Sequence, residues 1–514
     1  MNVFWKACGY GLTTLPLAWA LALPAKAQSI VPTNDGTGTI VNQDGTQYTI
    51  QGGQFSGDGR NQFHSLDTFN VLQGETATFL TPAGIENVLT RVVGGDPSYI
   101  NGLVQMLGSD ANLYLINPAG LVFGASASLN VSGDFIATTA THIGLDSNTQ
   151  LNAIGANNWS ELIGTPTSFT FALANPGAIV NLGNLVVPIG QNLGLFGGTT
   201  LNLGTLQAPG GTISVAAVPG ESLVRLSSPG NLLSLEVQSG QLPNREASAT
   251  TLNPLTVPEM LTGGNTELAQ RISVNPDGTI NLLGTGQSIA LEPGTNVVSG
   301  QVSVRHTDAN ATTPPAVGLL GDRVMLLGAN VDASAAAGGG NIFIGGDFQG
   351  NGTLPNAQHL YVDGNSNILA DSLLRGDGGQ VILWSDNTTQ FFGSISARGA
   401  AFLPGGEASN GGFVEVSSKG WLNFQGGVDT SAPNGSMGTL LLDPTNIYVV
   451  SDDVETSDLN DVDQAGDPDI EVPTPDPTPT PDPSPDPDTS PTPDPSPDPA
   501  PQPDATPDVQ ETAL

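Results

Sequence analysis

The sequence predicts an all-β fold of the solenoid type. Three observations carry this. Apolar residues come in runs of about three to five, too short for helices, and each run ends in a turn signal. A unit of glycine, spacer and apolar strand recurs along the chain: Gly211-Thr212-Ile213-Ser214-Val215, Gly340-Asn341-Ile342-Phe343-Ile344, Gly379-Gln380-Val381-Ile382-Leu383, Gly412-Phe413-Val414-Glu415-Val416 and Gly438-Thr439-Leu440-Leu441-Leu442. The composition has 66 Gly and 40 Pro among 514 residues and only 12% charged residues, which argues against long amphipathic helices.

The first ~27 residues read as a signal peptide. Lys6 supplies a weak positive start, Gly9 to Leu23 is nearly all apolar or small, and Ala25-Lys26-Ala27 is an A-x-A cleavage site. Cys8, the one cysteine, lies in this leader, so a mature chain is expected to have no disulfide and to be stabilised by burial and backbone pairing.

Ser29 to Gln62 reads as an opening cap of strands. Asp44-Gly45 marks a hairpin between Thr39-Ile40-Val41 and Tyr48-Thr49-Ile50. A solenoid needs such a cap, because its terminal coil must shield the core. Phe63 to Thr90 continues in short strands, and a short helix is expected around Tyr99 to Leu107.

Ala111 to Thr141 alternates strand and tight turn, with turns at Asn117-Pro118-Ala119-Gly120, Gly124-Ala125-Ser126 and Ser132-Gly133-Asp134. The pattern resumes from Phe169 to Leu226 with Asn-Leu-Gly units, whose asparagines can bond as ladders between coils. Pro229 to about Leu282 reads as an excursion, with a short helix possible from Glu259 to Ile272. Some ~420 body residues at roughly 22 per coil would stack about 19 coils into a rod near ~90 Å.

After about Ser451 the composition changes. Asp452 to Glu471 is acidic, and Val472 to Pro507 is built of Pro-Thr-Pro-Asp and Pro-Ser-Pro-Asp units. Proline removes amide donors and aspartates repel, so a disordered tail is expected, with a polyproline reach of roughly 110 Å.

The formal net charge is −36, and about half of it falls after Ser451, where there is no Lys or Arg. Phosphate binding needs clustered basic residues and none are found, so nucleic acid is excluded as a partner. The four histidines, His64, His142, His306 and His359, lack zinc-ligand spacing, no G-x-S-x-G occurs, and calcium-binding nonapeptides are not repeated. No catalytic residue, cofactor site or metal site is assigned. Carbohydrate-active enzymes also use β-helices; Arg305, Asp308, Asp322 and Arg323 come nearest to their charged clusters and read as loop charges.

Ala111 to Ala140 resembles the core of the filamentous-haemagglutinin N-terminal domain, also called the two-partner secretion or haemagglutination-activity domain. Asn117-Pro118-Ala119-Gly120 matches that family's Asn-Pro-Asn-Gly motif with Ala119 in place of the second Asn, and Phe63 to Val71 is similar to its segment ending in Phe-Asn-Val. Gly345 to Gly352 and Leu441 to Ile447 resemble repeats that often follow the domain.

The resemblance covers about residues 28–280 and implies a right-handed parallel β-helix, with a repeat region over 281–450 and the tail over 451–514. It implies export across the inner membrane and then passage through an Omp85-type outer-membrane transporter. Asn117, Pro118, Gly120, Phe69 and Asn70 become candidate secretion-motif residues, serving either recognition by the transporter or the turn itself. The function expected is that of a non-enzymatic, secreted or cell-surface adhesin of a Gram-negative-type cell. Its partners would be the transporter and a host receptor, a neighbouring-cell receptor or a polysaccharide. The alternative is a carbohydrate-active β-helix lyase or hydrolase.

Overall fold

The computed structural model describes residues 29–226, 292–401 and 408–444, together with the backbone of the strands Leu235–Ser239, Ile272–Val274, Ile280–Leu282 and Gln287–Ile289. The signal peptide, the short helix around Glu259 and the Pro/Asp tail lie outside these residues.

The described chain winds as a parallel β-helix with three faces. On the first face Asn61–Phe69, Asn87–Val92, Asn112–Ile116, Phe135–Thr138, Leu193–Gly197 and Thr212–Ala217 follow one another in parallel register. Ala316–Leu320, Asn341–Ile344, Gln380–Phe391, Phe413–Ser418 and Thr439–Leu441 continue it. The second face starts at Ser98–Ile100 and Leu121–Phe123. The third is a twelve-stranded sheet whose outermost strand, Thr39–Asp44, is the hairpin partner of Gln47–Gly52. That leaves eleven stacked levels among the described residues, a height of roughly 50 Å at the usual strand spacing.

Nineteen coils were expected, and the shortfall has a physical cause. The strand register on the first face jumps from Phe135 to Leu193 and from Ile213 to Val317. Between them His142–Leu145, Gln150–Asn152, Pro166–Phe171 and Ser222–Leu226 pair antiparallel outside the solenoid and build no coil, whereas Ala178–Asn181, Asn184–Val186, Thr295–Val298 and Gln301–Ser303 belong to its other two faces.

The core is a column. Val88, Leu113, Phe135, Leu193, Ile213, Val317, Ile342, Val381 and Val414 stack inward at one register position, and all are buried. No coil can cover these side chains alone; each is covered by the coil above and below. The same cluster runs from Ile30 to Val416 without a break. At the start it is closed by the Thr39–Gly52 hairpin and by Ile30–Pro32, which runs antiparallel to Asn61–Phe69.

Early in the chain the first face is apolar outside as well. Phe63, Leu89, Tyr114 and Ile136 point away from the core and are buried. An antiparallel sheet covers them, with strands His142–Leu145, Gln150–Asn152, Pro166–Phe171, Ser222–Leu226 and Leu235–Ser239. Phe169 meets Phe196 there at 4.9 Å between ring centres.

The segment Tyr99 to Leu107 is not helical. It forms two strands, Ser98–Ile100 and Leu103–Leu107, on different faces. Buried and partly exposed residues alternate along both, a period of two. Gly102 turns the corner between them; a Cβ there would lie 2.4 Å from the Glu75 carbonyl oxygen.

Asparagine ladders do form. Asn87 Nδ2 donates to Asn61 Oδ1 at 2.9 Å, and Asn112 Nδ2 to Asn87 Oδ1 at 3.0 Å. Asn181 Nδ2 donates to Asn202 Oδ1 at 2.8 Å. Each rung satisfies a buried amide from the neighbouring coil.

Candidate functional site

The Asn117-Pro118-Ala119-Gly120 turn connects the third strand of the first face to Leu121–Phe123. Gly120 N–H donates to the Asn117 carbonyl at 3.0 Å, closing a four-residue turn. Gly120 has φ 132°, a conformation that favours glycine. Asn117 Oδ1 accepts the Ala119 N–H at 3.0 Å, a second bond inside the same turn.

The remaining bonds of Asn117 reach out of the turn. Its Nδ2 donates to the Asp96 carbonyl and to Ser98 Oγ, both at 3.0 Å. Its backbone N–H donates to the Thr138 carbonyl on the next coil. Ser98 N–H donates to the Gly120 carbonyl. From the other side Gly177 lies so close that a Cβ would stand 2.6 Å from the Pro118 carbonyl oxygen and 2.8 Å from Gly120 N. Asn117 is 1% exposed and Ala119 0%, and the whole turn is buried between coils.

Asn70 sits two coils earlier. Its Oδ1 accepts the Tyr99 N–H at 2.8 Å, and its own N–H donates to the Ser29 carbonyl at 2.8 Å. Val71 N–H donates to the Tyr99 carbonyl, and Val71 accepts from Asn101 N–H. Phe69 faces inward, opposite Ile30, with its ring 6.1 Å from that of Phe79. The candidate residues therefore divide. Asn70, Asn117 and Gly120 meet on one segment, Asp96 to Asn101, whereas Phe69 belongs to the core.

Two further residues of this region stand outside the candidate secretion-motif residues. Arg91 is 3% exposed. Its guanidinium pairs with Asp35 at 2.8 Å, donates to the carbonyls of Asn152 and Gly155 at 2.9 and 2.7 Å and to Ser65 Oγ at 3.1 Å, and lies 4.9 Å over the Trp159 ring. Burial opposes the charged form of Asp35, but hydrogen bonds from Ser65, Thr37 and Arg91 outweigh it and hold the carboxyl at about 2. One side chain thus ties the cap, the second coil and the outer sheet together. Partners 56 to 64 positions apart give no spacing to read in a sequence.

His64 is the other. It is fully buried beside Phe79, neither ring nitrogen has a hydrogen-bond partner, and burial pushes its pKa down to about 4. Of Arg305, Asp308, Asp322 and Arg323, Arg305 pairs with Asp332 and Arg323 with Glu292, which are structural contacts. Among the described residues no group of three or more His, Cys, Asp or Glu is arranged to hold a metal ion, and no helix is long and apolar enough to cross a membrane.

In the second half Gln349 joins the two remaining motif segments. Its N–H donates to Glu415 Oε2 at 3.1 Å and its Nε2 to Asp443 Oδ2 at 3.3 Å. The loop from Gly345 thereby reaches over to the coils of Glu415 and Asp443.

Residues 26–254 match the family model of the TPS secretion domain. The chain carries a TPS secretion domain. This marks it as a secreted cargo of two-partner export. Among solved structures, the HMW1 secretion domain from Haemophilus influenzae is 21% identical, with 80% of this chain and 98% of that one covered at a TM-score of 0.41. No curated protein matches the chain. The turn at Asn117 and the segment at Asn70 both lie inside the matched residues.

Proposed function

We propose that this chain is a non-enzymatic cargo delivered by an Omp85-type outer-membrane transporter to the cell exterior, where it acts as an adhesin. The TPS secretion domain over residues 26–254 is the observation that supports this most. A signal peptide over 1–27 and transit of both membranes of a Gram-negative-type cell belong to the same reading.

The buried Asn117 turn bears on how the transporter would meet its cargo. In the folded domain this turn offers no surface, so recognition through it would have to precede folding. Once outside, coil-by-coil stacking gives the chain a folding route that needs no cross-link. The adhesin role fits a body made of long sheet faces. The test is secretion of the full chain, with its own transporter present or deleted, followed by attachment of the secreted protein to cells. Undiminished release without the transporter would reject the export reading, and release without attachment would reject the adhesin reading.

A further inference from the structure

We propose that residues 447–455 of this chain complete the last coil of the solenoid, with Tyr448, Val450 and Val454 laid on its open apolar end. This closure is independent of the route by which the chain is exported.

The two ends of the described solenoid differ. The Thr39–Gly52 hairpin closes the first. At the other the outermost strands are Thr439–Leu441, Trp421–Phe424 and Gly427–Asp429, one on each face, and no described strand pairs with them from beyond. Their inward side chains continue the core columns. Leu440 follows Val414, Phe424 follows Phe391 at 5.4 Å between ring centres, and Val428 follows Ile395. Burial fails in this last turn. Val414 is 0% exposed and Leu440 39%, while Leu422, Phe424, Val428 and Leu442 are only half-buried. An apolar floor ringed by open strand edges needs a cover.

Register names the cover. Between the two preceding coils the chain keeps one separation on all three faces: Gln380 lies beside Phe413, Thr388 beside Trp421 and Ser394 beside Gly427. The last strand begins a new coil, with Thr439 beside Phe413. Asp443 N–H donates to Ser417 Oγ at 3.1 Å across the same separation of 26 residues, so the register holds past the end of that strand. Gln349 Nε2 holds the Asp443 carboxylate from outside. That separation, carried forward, sets Ile447 beside Trp421, Tyr448 over Leu422, Val450 over Phe424 and Val454 over Val428. Each inward position of the second and third faces thus receives an apolar residue. Leu440 and Leu442 begin this layer on the first face, and the segment completes it.

The residue types agree with the placement. Ile447, Tyr448, Val449 and Val450 are all strand formers. Asp452, Asp453 and Glu455 then put charge on the final strand edge, which keeps such an edge from pairing with another chain. This favours the chain's own segment over a second copy as the cover. The Pro/Asp repeats, whose prolines cannot donate ladder bonds, start further on at Val472.

The test is hydrogen–deuterium exchange on the full chain, read by mass spectrometry over residues 445–456. About half of the amides of 447–450 should exchange at least about a hundredfold slower than in the same sequence as a free peptide, since an end strand bonds through every second amide. The variant Tyr448→Ser, Val450→Ser, Val454→Ser should bring these amides to within about tenfold of the free peptide and loosen Trp421–Asp429. Circular dichroism of this variant should stay close to wild type, because the other coils keep their neighbours. The variant Ile447→Ser, Val449→Ser changes outward positions alone and should keep the protection. Free-peptide rates in the wild-type chain, or equal loss of protection in both variants, would overturn the proposal. Unprotected 447–450 together with concentration-dependent self-association in sedimentation would assign the open end to a second copy and overturn it as well.

Discussion

Asn70 and Asn117 hold the same short strand from its two sides. Asn70 Oδ1 accepts the Tyr99 N–H from the coil before, and Asn117 Nδ2 donates to Asp96 and Ser98 from the coil after. Both side chains substitute for backbone partners at a corner where the strand ladder stops. The two motif segments are therefore one structural device, spread over three coils.

Asn117→Ala leaves the Ala119 N–H, the Asp96 carbonyl and Ser98 Oγ without their partner in a buried site. A loss of about 2–4 kcal/mol is expected, read by urea unfolding of the secreted protein. Asn70→Ala should cost less, because Asn70 is only partly buried. The two losses should not add, since both act on Ser98–Ile100; strict additivity in the double variant would contradict the shared role.

Gly177→Ala tests the packing on the other side of the turn. The new Cβ would press on the Pro118 carbonyl oxygen and Gly120 N, and backbone cannot yield cheaply. A destabilisation of about 1–3 kcal/mol follows. An unchanged melting temperature would mean that the next coil does not press on the turn.

His64 predicts a pH dependence. Its folded pKa of about 4 lies below the ordinary 6.5, so the unfolded chain binds the extra proton between those values. His64 therefore leaves stability intact above pH 6.5, and stability should fall by up to about 3 kcal/mol as pH drops from 6.5 to 4. His64→Leu should flatten this part of the curve, measured by denaturant midpoints across pH. An equal slope in the variant would assign the titration to another group.

Arg91→Met should be among the most damaging single changes. It strands Asp35 together with the carbonyls of Asn152 and Gly155, at about 3–5 kcal/mol. Arg91→Lys should recover little of this, because an ammonium cannot reach four acceptors and stack on Trp159 as well. Full recovery by lysine would show that charge alone matters.

The architecture was largely legible in the sequence. Glycine-led strands and turn-bounded apolar runs name the coil pieces, and Asp44-Gly45 marks the cap hairpin where it stands. The misread segment, Tyr99 to Leu107, is instructive. Its Asn101-Gly102 dipeptide is a turn signal at the corner, and the alternation of inward Ile100, Val104 and Met106 around it marks two strands. Coil number was not legible, because nothing local tells a residue of the outer sheet from one of the solenoid. Arg91 and His64 were invisible for the same reason: their surroundings come from distant coils. At the candidate site the motif was visible, but its burial was not, since Gly177 and Asp96 close over it only in the stacked structure.

Export of this chain as two-partner cargo can be measured directly. The direct measurement is the amount of full-length chain in the medium from cells with the Omp85-type transporter, from cells lacking it, and from cells with the transporter and a chain lacking residues 29–226. Abundant secreted protein is expected in the first case and almost none in the other two. Equal amounts in the medium without the transporter, or without the N-terminal coils, would contradict it.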